Sequence, residues 1–201
     1  IRAATHDLSD ARGAWKMNAL SCADPKASVE MVDAIARAAT DGDSVGGVIE
    51  CVAINVPIGL GEPVFDSVES VVSHALYGIP AVKGVEFGAG FRLASMRGSA
   101  SNDPYQIVDG MVSTSKNDAG GVLGGISNGM PIVARIAIKP TPSIPLSQRT
   151  VNLRTGTGES LSITGRHDAC IVPRAVVVVE AMMAISLCDL AIQAGVLPKV
   201  V

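Results

Sequence analysis

Gly165 to Asp168, in the string GRHD, bring together a flexible residue, a cation, an imidazole and a carboxylate. They stand directly before an apolar run that predicts a helix, and the N-terminus of a helix favours bound anions. The group is therefore a candidate anion-binding site. The same residues could equally form a local cap and a salt bridge in a loop that leads into a helix. The string alone is compatible with both interpretations.

A second group lies in KPTPS, which runs from Lys139 to Ser143 at the end of a strand-like segment. Pro140 and Pro142 restrict the backbone. The lysine and the hydroxyls of Thr141 and Ser143 are suited to a phosphate or to the polar edge of a ring. The alternative interpretation is a stiff connector between two strands.

A third group is the glycine-rich string AGGVLGGISNG, from Ala119 to Gly129. Glycine lets a backbone approach a ligand closely. The string has neither the GK[ST] ending of a P-loop nor a GxGxxG that follows a strand. A tight turn or close backbone packing would explain it as well as a ligand does.

Composition limits the classes of protein that these groups can serve. Of 201 residues, 48% are hydrophobic and 17% are charged, which excludes a disordered chain. A net charge of -3 and only 3% aromatic residues argue against a nucleic-acid partner. No pair of cysteines has metal-ligand spacing, so we expect no metal site and reduced thiols in a cytoplasmic protein. The cysteines are Cys22, Cys51, Cys170 and Cys188.

Helix signals occur at three places. Asp24 caps a helix that begins at Pro25 and stops at Gly42, and a second helix spans residues 66–77. The last helix, residues 174–194, is apolar nearly all round, which predicts a helix buried inside a core. Because charged residues interrupt the apolar stretch 169–197, it predicts a core helix rather than a membrane span.

Strand signals lie between these helices. We expect a buried strand over residues 48–56, another leading into EFGAGF, an alternating strand over 132–138, and a hairpin around Gly156 and Gly158. Glu50 stands inside the first strand, where it needs either a buried partner or an exposed edge. Residues 97–116 are polar and aperiodic, and we expect a mobile surface loop there.

Taken together, these segments resemble the chorismate synthase family. Six strings match the family in order along the chain: GDSVGG (42–47), NVPIGLGEPVFD (55–66), IPAVKGVEFGAGF (79–91), AGGVLGGISNGMPI (119–132), KPTPSI (139–144) and GRHDACIVPRAV (165–176). They cover only the C-terminal portion of the family's chain. The family's N-terminal portion, with its SHG histidine, arginine-rich contacts and SARET-like segment, has no counterpart here. We therefore expect residues 1–201 to be a single domain portion of a longer fold.

The resemblance implies an α+β fold in which helices lie between antiparallel β-sheets, here incomplete. It implies a lyase of the shikimate pathway of aromatic amino acid biosynthesis, which removes phosphate and a proton from 5-enolpyruvylshikimate 3-phosphate to give chorismate. It also implies reduced FMN as cofactor, a homotetramer in the cytoplasm, and no nucleic-acid or membrane partner. Some members of the family reduce the flavin with NADPH, which adds NADPH to the implied cofactors.

Residue roles follow from the same resemblance. Asp168 matches the aspartate proposed to manage a proton at the flavin, and Arg166 matches an arginine at the flavin and substrate. The residues that match flavin contacts are Pro80, Ala81, Gly124, Lys139, Pro140, Thr141, Pro142 and Ser143. Three positions depart from the family pattern: Pro80 replaces asparagine, Asp118 replaces histidine or asparagine, and Ala169 replaces proline.

Two other interpretations of the chain stay open. It could be an orphaned fragment that only binds FMN or packs against its other half, and we expect no turnover from the 201-residue chain alone, because half of the substrate-binding groups are absent. The second of these interpretations is a plain phosphate-binding module that is unrelated to the family.

Overall fold

The computed structural model describes residues 20, 22 and 24–198. The α-helices among them are α1 Pro25–Thr40, α2 Val68–Tyr77, α3 Gly98–Ser101 and α4 Val172–Gln193, with a 3-10 helix at Gly90–Ser95. The strands are β1 Gly47–Ala53, β2 Val82–Phe87, β3 Tyr105–Val108, β4 Met111–Thr114, β5 Val122–Leu123, β6 Ile126–Ser127, β7 Ile132–Ile138, β8 Gln148–Asn152 and β9 Thr157–Leu161.

The chain divides into two compact units. Unit 1 comprises the described residues up to 48 together with residues 138–176, and unit 2 comprises residues 49–137 together with the described residues from 177 onward. Three elements have residues in both units: strands β1 and β7 and helix α4. The expectation of a single domain portion over residues 1–201 stays a prediction.

Unit 1 contains α1, whose start confirms the capping prediction. The Asp24 side chain accepts hydrogen bonds from the backbone N–H groups of Lys26 (2.9 Å) and Ala27 (3.2 Å), and Pro25 opens the helix. Gly42 follows the helix with a φ of 68°, a conformation that glycine adopts without strain. The unit also contains the antiparallel hairpin β8–β9, as predicted, although Gly158 lies within β9 rather than in the turn.

Unit 2 is built on a three-stranded sheet in the order β1–β7–β2. Its central strand, β7, buries every second side chain, and this alternation confirms the prediction for residues 132–138. The buried side chains are Ile132, Ala134, Ile136 and Ile138. Helix α2 lies against β2 and buries Val68, Val72 and Leu76 completely.

The opposite face of this sheet carries a cluster of charges. Arg135 Nε donates to Glu86 at 2.6 Å, one of its terminal nitrogens donates to the Gly88 carbonyl at 2.5 Å, and another lies 3.6 Å from the Glu50 carboxylate. The Arg135 side chain is only 13% exposed, so two carboxylates and a carbonyl compensate its charge. Glu50 therefore has the partially buried partner that its position in an apolar strand required.

The prediction of a loop over residues 97–116 is wrong. The segment folds into the short helix α3 and the antiparallel hairpin β3–β4, in which Ile107 pairs with Val112 and Val108 with Met111. Asp109 and Gly110 both have positive φ, as a two-residue type I′ hairpin turn requires.

Helix α4 is as long and apolar as predicted, but this chain buries only one side of it. The buried residues are Val179, Met183, Ser186, Leu190 and Ala191, whereas Val177 and Ile185 are more than half exposed. The prediction of burial on every side is thus wrong for the described residues. By length and composition α4 could also cross a membrane, which is weak support because core helices of soluble proteins meet the same criterion.

Candidate active site

In unit 1, the segment Asp43–Gly47 joins two of the three groups singled out by sequence. The Ser44 hydroxyl donates to the Thr141 carbonyl at 2.6 Å, and the Val45 N–H donates to the Ala169 carbonyl at 2.8 Å. A Cβ at Gly46 would lie 3.0 Å from Pro140 Cδ, so only glycine allows this approach without displacing the proline. KPTPS and the GRHD loop are therefore held side by side by one stretch of backbone.

The KPTPS segment presents polar groups that the protein leaves unsatisfied. Lys139 directly follows the last residue of β7, and its ammonium group forms no hydrogen bond or ion pair with any described residue. The Thr141 hydroxyl oxygen is buried and also has no hydrogen-bond partner. A buried hydroxyl without a partner is costly, so this segment has the properties of one that completes its hydrogen bonds with a ligand.

The GRHD loop holds its charged groups in different ways. Gly165 has a φ of 146°. The His167 ring nitrogen Nε2 lies 3.0 Å from the Ile163 carbonyl, which turns the imidazole back onto its own loop. Arg166 is exposed and unpaired among the described residues. Asp168 forms a salt bridge, as the local interpretation expected, but its partner is Arg174 in the first turn of α4 rather than Arg166.

In unit 2, the glycine-rich string separates into glycines packed against other groups and one, Gly124, that has open space beside it. Gly124 and Gly125 form the two-residue turn between β5 and β6, with φ values of 60° and 84°. A Cβ at Gly125 would lie 2.7 Å from Ser67 Cβ, and the Gly125 carbonyl accepts from the Val68 N–H at the start of α2. A Cβ at Gly124 would meet nothing within 4 Å. Gly124 is thus the member of this turn whose backbone is open to a ligand.

Gly88 and Gly120 lie where two segments of backbone cross in close contact. A side chain at Gly88 would collide with Gly120 and the Asp118 carbonyl, and a side chain at Gly120 would collide with Gly88. The Ala89 N–H donates to the Asp118 carbonyl at 2.7 Å across this crossing. Close backbone packing, the alternative to a ligand site, therefore explains Gly120.

Sequence reasoning missed the group that fixes this crossing. The Asp103 side chain is 1% exposed, and its two oxygens accept from the N–H groups of Asp118 (2.9 Å) and Ala119 (2.8 Å). The Lys116 ammonium lies 3.3 Å from Asp103 and 2.5 Å from Asp118. The hydrogen bond to Asp118, with a smaller effect of Asp103, raises the pKa of Lys116. No local signal marked Asp103, because its partners lie 15 and 16 residues away in sequence.

Pro80 and Ala81 occupy a turn in unit 2. The Val82 N–H donates to the Ile79 carbonyl at 3.3 Å, and Ala81 has a φ of 73°. Proline in the second position and a positive φ in the third define a type II turn, whose third residue is usually glycine or asparagine. Pro80 is exposed, as a residue that touches a ligand must be before binding.

The predicted residues thus form two groups. Lys139–Ser143, Arg166 and Asp168 lie in unit 1, and Pro80, Ala81 and Gly124 lie in unit 2. No cluster of three or more histidine, cysteine or acidic side chains in the described part of the chain is placed to hold a metal ion.

Comparison with known proteins decides the family. A sequence model described as chorismate synthase matches residues 1–192. The chain belongs to the chorismate synthase family. A chorismate synthase of Dehalococcoides mccartyi (strain BAV1) is 58% identical over 182 residues, and one of Korarchaeum cryptofilum is 50% identical over 188 residues. These matches cover 90% and 94% of this chain.

The fold agrees with the sequence matches. A crystal structure of chorismate synthase superposes with a TM-score of 0.75 at 33% identity and covers 93% of this chain, which confirms the predicted α+β fold class. The chain spans about half the length of the curated relatives it matches, 50% and 52% for the two named above, and 49% of the solved structure.

Proposed function

We propose that this chain supplies the flavin-binding side of a chorismate synthase, a lyase that eliminates phosphate and a proton from 5-enolpyruvylshikimate 3-phosphate to give chorismate. The observation that carries the proposal is the arrangement in unit 1. The segment Asp43–Gly47 contacts both KPTPS, through the Ser44 hydroxyl, and the residue after GRHD, through the Val45 N–H. KPTPS and GRHD carry two unpaired cations and an unsatisfied buried hydroxyl. The family relationship supplies the reaction.

These groups fit a phosphorylated ligand. Lys139 and Arg166 are cations without protein partners, and a guanidinium or ammonium group binds phosphate and carboxylate oxygens well. The Thr141 hydroxyl would gain the hydrogen bond that the protein does not give it. The donor set therefore suits reduced FMN and an anionic substrate.

Unit 2, taken by itself, presents exposed backbone surfaces of a kind that suits a flat ring. Gly124 offers its peptide without a side chain in the way, and the turn at Pro80 and Ala81 is held in a fixed conformation. Such surfaces can contact a flat ring closely and without reorganisation on binding. When bound, reduced FMN supplies the electron density that no protein side chain can supply as phosphate leaves.

Proton transfer is the part of the reaction that we assign to one side chain, Asp168. Asp168 carries a carboxylate in the same loop as Arg166, and it is 41% exposed, so a bound ligand can reach it. We propose that Asp168 would accept or return a proton beside a bound flavin, and that Lys139 and Arg166 would neutralise the anionic groups of the ligands. We further propose a homotetramer in the cytoplasm, with NADPH as a reductant of the flavin.

Replacement of Asp168 tests this assignment. In the protein at the full length of its relatives, Asp168→Asn should not weaken FMN binding and should lower turnover by roughly two to four orders of magnitude. Turnover is measured anaerobically with reduced FMN, as phosphate released from 5-enolpyruvylshikimate 3-phosphate. Asp33→Asn, an exposed position in α1, is the matched control. Full activity of Asp168→Asn would remove this residue from the mechanism.

A second candidate function is supported by the length of the chain. Because the chain spans only half of its relatives and leaves one side of α4 exposed, the 201-residue chain by itself could be limited to binding FMN or packing against another polypeptide. We expect FMN binding without phosphate release from the isolated chain. Phosphate release by the isolated chain under the same anaerobic conditions would contradict that expectation.

A further inference from the structure

The salt bridge between Asp168 and Arg174 assigns a task to a residue that the proposed mechanism does not use. Asp168 lies in the loop before α4, and Arg174 lies in the first turn of that helix. One terminal nitrogen of the guanidinium contacts one carboxylate oxygen. Both residues belong to unit 1, so the contact is internal to one compact part of the chain.

Arg174 is the partner that the structure gives to this carboxylate. The preceding residues do not compete for it, because His167 is turned to the Ile163 carbonyl and Arg166 is unpaired. An aspartate side chain has two rotatable bonds, and an exposed carboxylate without a partner samples several rotamers. The contact with Arg174, whose backbone is fixed in the helix turn, favours the orientation in which one carboxylate oxygen faces the guanidinium.

The same pair affects the charge of the site. Lys139 and Arg166 attract anionic ligands, whereas a bare Asp168 would repel them. Arg174 offsets that negative charge through direct contact, so that Lys139 and Arg166 leave the site with a net positive charge. An arginine at this position therefore orients Asp168 and offsets its charge.

We propose that Arg174 is a positioning residue that acts through Asp168. The inference rests on the proposed function only for its effect on turnover, since its effect on anion binding follows from the charges alone. Arg174 is 75% exposed and Asp168 is 41% exposed. An ion pair this exposed contributes little to folding, so variants of it should fold normally.

A double-mutant cycle in the protein at the full length of its relatives tests the proposal. The variants are Arg174→Gln, Arg174→Lys, Asp168→Asn and the double variant Asp168→Asn/Arg174→Gln, with Arg154→Gln in the exposed β8–β9 turn as the control. Each is assayed for kcat at saturating substrate and reduced FMN. Each is also titrated with oxidised FMN, which measures affinity without any turnover.

We expect Arg174→Gln to lower kcat by about tenfold and Arg174→Lys to recover most of it, because lysine restores the charge and can supply one donor to Asp168. FMN affinity should fall about two- to fourfold in Arg174→Gln, the size expected for one unscreened charge near a surface. In the Asp168→Asn background, Arg174→Gln should have no further effect on kcat, because no carboxylate is left to orient. FMN affinity should fall by about the same two- to fourfold factor in that background, because the same positive charge is removed. Arg154→Gln should match the wild type.

Two results would overturn the proposal. One is an Arg174→Gln protein with wild-type kcat and wild-type FMN affinity. The other is a double variant whose loss in kcat is the product of the two single losses in kcat, which would mean that Arg174 acts on turnover independently of Asp168. If the wild-type protein itself released no phosphate, the proposed function would fail instead, and the FMN titrations would still show whether the Arg174 charge acts on anion binding.

Discussion

Asp103 is the buried group whose removal should most disturb the fold around the glycine-rich segment. Asp103→Ala removes a carboxylate that is 1% exposed and accepts two backbone hydrogen bonds. Each hydrogen bond to a charged group contributes about 1.5–3 kcal/mol, which sums to about 3–6 kcal/mol for the pair. The ion pair with the solvent-accessible Lys116 adds little to this, and water entering the vacated space offsets part of the loss. We expect the free energy of unfolding to fall by about 3–5 kcal/mol.

Urea unfolding followed by circular dichroism measures this change, and amide hydrogen exchange localises it. The N–H groups of Asp118 and Ala119 should exchange much faster in Asp103→Ala, because they have lost their acceptors. The control is Asp33→Ala, which breaks the exposed pair with Arg37 in α1 and should cost less than about 0.5 kcal/mol. A cost below about 1 kcal/mol for Asp103→Ala, with unchanged exchange at both amides, would refute this account of the crossing.

Two further predictions follow from single positions. Gly124→Ala should lower the free energy of unfolding by roughly 1 kcal/mol, the cost of a residue forced to positive φ. Gly120→Ala must also push the Gly88 backbone aside and should lower it by more than about 3 kcal/mol. Equal urea midpoints for the two variants would contradict the packing described here. Burial, with the charge of Glu180, raises the pKa of the Cys51 thiol to about 11. At pH 8, iodoacetamide should therefore modify the exposed Cys188 at least about tenfold faster than Cys51, and Cys51 should become reactive only as the pH approaches 11. Equal labelling of the two thiols at pH 8 would be inconsistent with this.

Local signals in the sequence predicted the parts of the fold that local interactions determine. Asp24 and Pro25 define the start of α1 because a capping side chain and a proline act within one helical turn. The alternation in β7 predicted its buried face because side chains of a strand alternate sides.

The hairpin β3–β4 was missed although its signal was present. Asp109–Gly110 stands between the apolar pairs Ile107–Val108 and Met111–Val112, and Asp-Gly is a favoured type I′ turn sequence. The polar residues on either side of the dipeptide favour a loop, which is the structure that we expected there. The turn dipeptide was the more informative feature.

The candidate site depended on contacts that no local pattern contains. Ser44 and Thr141 are 97 residues apart, and Asp103 reaches Asp118 across 15 residues. KPTPS and GRHD were identified from their residue types and from the family resemblance, but their connection through Ser44 and Val45 required the folded chain. Helix α4 shows the converse, since its composition predicted full burial whereas the described residues cover only one of its sides.

The most direct test of the proposed function is an anaerobic assay of two proteins side by side: the 201-residue chain and the protein at the full length of its relatives. Both receive reduced FMN and 5-enolpyruvylshikimate 3-phosphate, and chorismate and phosphate are quantified. We predict equal amounts of chorismate and phosphate from the full-length protein, no product without reduced FMN, and none from the 201-residue chain. A folded full-length protein that binds reduced FMN and forms no chorismate would contradict the proposal.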